Sequence, residues 1–141
     1  MHTFPKSPNE NTRGMLYFSR MLDKIRLHAR GELAEIYHAN LGRQDRVDGA
    51  CCNFLRVNYD NLRRRVLEGG SDEEILEWCF EKGRRLNEGD LFIWNAFASK
   101  LGWRDFAAEI VANGKGAAGI AERDDIVTIP DLIDFEEGRR S

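Results

Sequence analysis

Four side chains with chemistry to offer recur at helical spacing early in this sequence: Tyr17, Arg20, Lys24 and His28. Steps of three and four residues put them on one flank of a helix. Arginine brings a planar fork of donors and lysine a point charge, a combination that holds a carboxylate or a phosphate. The four together are a candidate ligand-binding site for a small anion. A structural role is the competing expectation. Buried cations must be paired, so Arg20, Asp23 and Lys24 would then form ion pairs inside the fold. The partners expected for the cations are acids of the C-terminal segment, among them Asp124, Asp131 and Asp134.

Other groups of reactive residues are less organised. His28, His38, Cys51, Cys52 and Cys79 lack the short paired spacings of a zinc site, and no metal is expected. A cysteine nucleophile would need a nearby base or cation. Ala50, Phe54 and Leu55 around Cys51 and Cys52 instead read as core, where free cysteine packs as a small hydrophobe. Gly114-Lys115-Gly116 has no strand-turn-helix context to make it a phosphate loop. No cofactor is expected. Trp78, Trp94 and Trp103 read as core and core-edge packing. Arg56 and Arg63–Arg65 offer a basic surface, but a sequence pI of 5.7 argues against nucleic acid as the main partner.

The elements that must position these residues are helical. Gly14–Gly31 has Met15, Phe18, Met21, Leu22, Ile25 and Ala29 on one arc, with Leu16 and Leu27 opposite. A helix apolar on two sides belongs in the middle of a domain. Ser71 and Glu74 form a capping-box pair ahead of a helix over 72–82. Asn58 or Asp60 starts a helix ending near Glu68, and Asn87 caps one running to about Leu101. The latter, LFIWNAFASKL at its centre, is apolar nearly all round and is expected to be buried among neighbours. A further helix is expected from Arg104 to about Asn113, then a mobile Gly/Ala loop over Asn113–Gly119. Pro130 sits at a possible first helical position before a short turn, Asp131–Glu137. Glu32–Leu41 reads as a short helix. Ala50–Val57 fits a strand or a helix by periodicity alone, and a helix beginning near Asp48 is favoured because no partner strand is evident. The expected fold is all-α: a compact single-domain bundle of about six short helices around a central N-terminal helix. Residues 1–13 are expected as a flexible N-terminal arm and 14–141 as the helical domain.

Composition fits that picture. The 141 residues suffice for one domain with a sizeable core. No apolar run is long enough to cross a membrane, and the N-terminal residues lack the apolar centre of a secretion signal. Cys51 and Cys52 are adjacent, with Cα atoms about 3.8 Å apart, too close for an unstrained disulfide. An odd count of three cysteines then points to a reducing cytoplasm. Charge is lopsided: +5 over residues 1–66 and −8 over 67–141, so the two halves are expected to attract each other.

Three segments carry a resemblance. Arg20-Met21-Leu22-Asp23-Lys24, SDEEILEW (Ser71–Trp78) and DLIDFEEGR (Asp131–Arg139), in this order and spacing, resemble a family of small bacterial proteins known as domain of unknown function 5069. The resemblance runs from about Arg13 to Arg139, while Gly42–Cys52 departs from it by being longer and more polar. It implies a mostly helical, cytoplasmic protein and supplies no catalytic residues. The function expected is a non-enzymatic interaction or small-anion-binding module. The alternative is an enzyme for a small anionic metabolite, with Arg20 and Lys24 orienting substrate and His28 or a cysteine doing chemistry. The expected partner is a protein or a small anionic ligand, or a second copy of the chain, with no role for a membrane.

Overall fold

Helices begin where the sequence supplies a side chain to take their free N–H groups. Asn58, Ser71, Asn87 and Thr128 each accept from the backbone three residues on, and the last three form full capping boxes with Glu74, Asp90 and Asp131. In the computed structural model, which describes residues 3–141, these caps open α3 (Tyr59–Leu67), α4 (Asp72–Lys82), α5 (Glu88–Lys100) and α7 (Ile129–Glu136). Ahead of them lie α1 (Phe18–Ala29), a 3₁₀-helix (Glu35–Asn40) and α2 (Val47–Leu55), and α6 (Ala108–Ala117) falls between α5 and α7. The fold is predominantly α. The segment that fitted strand or helix is α2, beginning beside Asp48.

The first helix runs through the core as its two apolar sides require. Eight of its residues are buried, Arg20 and Lys24 among them. Phe18, Met21, Leu22 and Ile25 join Cys51, Cys52 and Leu55 of α2, Leu62 and Val66 of α3, and Ile75, Leu76 and Cys79 of α4 in one cluster. Its start differs from the sequence expectation. Residues 14–16 are not helical: Asn11–Thr12 (β1) and Met15–Leu16 (β2) form a small antiparallel hairpin. Tyr17, at φ 74°, turns the chain from the hairpin into α1. The outer edge of β2 is satisfied by α5, whose Asn95 accepts from Leu16 N at 3.0 Å and whose Trp94 indole donates to Leu16 O at 2.8 Å.

That arrangement decides how α5 lies, and it corrects the expectation of a fully buried helix. With Trp94 and Ala98 turned inward, the opposite face carries Phe92 and Ile93, 77% and 61% exposed. The expected Gly/Ala loop is likewise corrected. Residues 113–117 continue α6, because tertiary packing overrides weak propensity: at Gly114 a side chain would meet Leu132 Cδ2 of α7 at 2.5 Å, so the glycine permits the two helices to close. The start of that helix lies at Ala108 rather than Arg104; Asp105 instead accepts from Gly102 N and Ala107 N.

Residues 5–13, expected to belong to a flexible arm, are bonded along the body. Pro5, Ser7 and Thr12 are buried, Lys6 N donates to Asp23 Oδ2 at 3.1 Å, and Ser7 Oγ donates to Asp134 Oδ1 at 2.8 Å. Met1 and His2 lie outside the described residues.

Candidate functional site

Arg20 lies in the first turn of α1, only 3% exposed, and faces the chain's C-terminal segment. Its two terminal nitrogens donate to Glu137 Oε1 at 2.9 Å and Oε2 at 2.7 Å. This is the bidentate fork for which arginine is suited. Glu137 also accepts from the Tyr37 hydroxyl at 2.8 Å and from Arg139 at 2.6 Å. Burial would lift its carboxyl, but these donors outweigh it and hold the group below its usual range. Tyr37 is pushed up to about 12, by burial and by the anion it donates to.

One turn further along α1, Lys24 makes the second arrangement. Its Nζ stands 2.8 Å from Asp48 Oδ1 and donates to the Tyr17 hydroxyl at 2.8 Å. Tyr17 donates in turn to Asp48 Oδ1 at 2.6 Å, and Gly42 N closes the other carboxylate oxygen at 3.0 Å. Burial lowers the Lys24 ammonium below its ordinary value despite the attraction of Asp48. Burial and the same carboxylate raise Tyr17 well above its own. The positive φ of Tyr17 costs of order 1–3 kcal/mol in a residue that is not glycine. Met21 N still bonds to Tyr17 O at 3.1 Å, so the strained residue opens α1 and stands within reach of Asp48.

Tyr17, Arg20 and Lys24 form part of the floor of a cleft of about 760 Å³. Most of its walls are apolar, with Ile36 from the 3₁₀-helix, Phe97 from α5, Phe106 just before α6, Ile110 on it, and Leu132 and Ile133 from α7, while Asn40, Gln44, Asp45 and Arg46 also line it. Phe106 is 72% exposed at the rim. Glu136 lines the same space and has no ion-pair partner among the described residues; burial and neighbouring Glu137 raise its carboxyl.

Three of the four flank residues therefore share the cleft, and His28 does not line it. His28 instead meets His38 edge to face, ring centroids 4.8 Å apart. The expected ion pairs need correction. Arg20 and Lys24 pair with Glu137 and Asp48 rather than with Asp124, Asp131 or Asp134. Asp131 pairs with Arg140 at 2.9 Å and Asp134 with Arg139 at 3.0 Å, while Asp124 is exposed and takes no ion pair among the described residues. The reason is placement: the Asp131 carboxylate turns back to accept from Val127 N and Thr128 N at the start of α7, whereas Glu137, just past the helix end, faces α1. Asp23 pairs with Arg26 at 3.3 Å. Asp48 was visible only as an acid at a helix start, and Tyr37 gave no signal of its own.

All three cysteines are free and buried. Burial raises Cys51 well above the usual thiol range, and Cys52 and Cys79 to about 12. No group of three or more His, Cys, Asp or Glu residues suited to a metal occurs among the described residues, and no described helix is long and apolar enough to cross a membrane.

Fold and cleft define a small helical protein whose last helix closes an apolar cavity over two buried ion pairs. Residues 2–139 match the model of the family described as Domain of unknown function (DUF5069), and the chain belongs to that family. The match covers all three segments that carry the resemblance. Comparison with curated proteins gives no match.

Proposed function

We propose that the protein is a non-enzymatic binding module whose ligand occupies the cleft above Tyr17, Arg20 and Lys24. One observation carries this reading: a concave, mostly apolar space of ligand size with the buried polar groups of Tyr17, Arg20, Lys24, Asp48 and Glu137 on its lining. Small-molecule sites have this make-up, with volumes of about 300–1,000 Å³. The charge state of the floor narrows the ligand. Each cation already holds a carboxylate, so a compact multivalent anion would have to displace Asp48 or Glu137. Lys24 has three N–H donors, two of which serve Asp48 and Tyr17. A small molecule with an apolar body and one carboxylate or carbonyl head suits what is left.

The enzymatic alternative has weaker support. His28 is outside the cleft, and the thiols are buried and held protonated. Alkylation with iodoacetamide separates the two readings: slow labelling before denaturation fits the module, and one fast thiol at neutral pH fits the enzyme. The same unpaired thiols suit a reducing bacterial cytoplasm, the setting we propose.

Titration with octanoate, 2-octanone and inorganic phosphate, followed by amide NMR, tests the ligand class. Saturable shifts are expected at Tyr17, Ile36, Tyr37, Ile110 and Ile133 with the first two probes, and none with phosphate. Phe106→Glu, at an exposed rim position, is expected to abolish them. Shifts scattered over the surface without saturation would remove the proposal.

A second copy of the chain has its own support as a partner. The outer face of α5 presents Phe92, Ile93 and Ala96 between Glu88 at one end and Lys100 at the other, all exposed. Neither charge has an ion-pair partner among the described residues. A two-fold axis perpendicular to such a helix sets it antiparallel to its copy, which brings Glu88 of one copy toward Lys100 of the other. Sedimentation is expected to show a dimer that Phe92→Glu dissociates.

A further inference from the structure

We propose a second binding site, independent of the cleft: a groove at the junction of α2, α3 and α4 that takes the phosphates and base of a nucleotide unit. Arg56, Arg64, Arg65 and Lys82 line a groove of about 650 Å³ with Trp78, and Glu68 is the one carboxylate among its lining residues.

What sets these cations apart is that the fold does not use them. Twelve of the 21 lysines and arginines hold a carboxylate in an ion pair among the described residues. Of the nine that do not, four line this groove and Arg63 is on the same helix. Their bonds go to neutral acceptors. Arg56 donates to Asn53 Oδ1 at 3.4 Å, Arg64 to Asn61 Oδ1, and Arg65 to Gly69 O at 2.6 Å. Such bonds orient a guanidinium without neutralising it. In a chain of net charge −3, a concavity with four cations and one acid concentrates positive potential where counter-ions gather.

The backbone adds an independent sign. Arg56 ends α2 in the left-handed conformation, φ 61° and ψ 41°, which glycine or asparagine adopts more cheaply. Strain of this kind collects at binding sites. Here it sets a guanidinium at the rim.

Trp78 decides the ligand class. It is half-buried, packed on one side against the core cluster, and lines the groove with the rest of its surface. An indole beside several arginines provides a platform for a planar base and forks for phosphate oxygens. A free nucleotide and a single strand share this chemistry. A bare carboxylate uses only part of it.

The test is amide and indole NMR on the whole chain with three probes: ATP, inorganic triphosphate and an oligothymidylate of about ten nucleotides. ATP is expected to shift Arg56, Asn61, Arg64 and the Trp78 indole saturably, and triphosphate the arginine signals alone. Affinity is expected to fall about tenfold as salt rises from about 50 to 200 mM. Arg64→Glu with Lys82→Glu, both at exposed positions, is expected to abolish binding with the circular dichroism unchanged. Arg13→Glu, which removes an exposed, unpaired cation from the turn between β1 and β2, is expected to leave it intact. An oligonucleotide binding tenfold tighter than ATP assigns the site to a strand, and equal or weaker binding assigns it to a free nucleotide. Either supports the proposal. No saturable shift at low salt, shifts that survive the double reversal, or equal loss with Arg13→Glu would overturn it.

Discussion

Arg20 and Glu137 stand 117 residues apart in sequence and bind each other through two hydrogen bonds, 2.9 and 2.7 Å, with both side chains nearly out of solvent. The pair ties the central helix to the segment just past α7. Removing one member leaves a buried charge without its counter-ion, which costs about 3–5 kcal/mol, whereas apolar replacement of both is often neutral. Arg20→Met and Glu137→Leu are each expected to lower unfolding free energy by about that amount. The Arg20→Met/Glu137→Leu double variant is expected to lose clearly less than the sum, although Tyr37 and Arg139 lose an acceptor. Urea unfolding of the four proteins measures the coupling, and strict additivity would show that the pair contributes no interaction energy.

The same carboxylate makes stability depend on pH. Glu137 is held below its usual range in the folded chain, so between its folded value and about 4.3 the unfolded state binds more protons. Its contribution is whole above the unfolded value and is lost as pH falls through the folded one. Denaturation midpoints measured from pH 6 down to 3 are expected to fall more steeply for the wild type than for Glu137→Gln. Parallel curves would mean that the side chain titrates as an exposed one does.

The helices were readable because their start signals are local. Ser71 with Glu74, and Asn87 with Asp90, close their own caps within four residues, and no distant contact is needed to place them. The two-sided apolar pattern of α1 likewise revealed a helix through the core with cations carried inward. Partner choice was not readable. Whether Arg20 meets Asp134 or Glu137 depends on how α7 is rotated, and the sequence holds acids at both places. Gly114 misled for a related reason: its value is space for Leu132, a property of the packed helix pair and invisible in composition. The outward face of α5 follows from hydrogen bonds to a hairpin that spans six residues, too short to leave a periodic trace.

Two glycines give opposite expectations for the same substitution. Gly83 ends α4, and a Cβ there would sit 1.9 Å from the carbonyl oxygen of Leu55 and 2.8 Å from that of Arg56. Both are backbone atoms, and Arg84 N bonds to the same Leu55 oxygen at 3.0 Å, so neither chain can withdraw without breaking the α2–α4 junction. Gly83→Ala is therefore expected to cost about 3 kcal/mol, the upper end of what overpacked cores usually lose. Gly116 lies in α6 with nothing within 4 Å of a built Cβ and carries no positive φ. Alanine there removes backbone freedom from the unfolded chain and favours the helix, a gain of about 0.4–1 kcal/mol. Thermal unfolding followed at 222 nm compares the two, with a lower Tm expected for Gly83→Ala and a slightly higher one for Gly116→Ala. An unchanged Tm for Gly83→Ala would mean that the turn after α4 is looser than its contacts with Leu55 and Arg56 require.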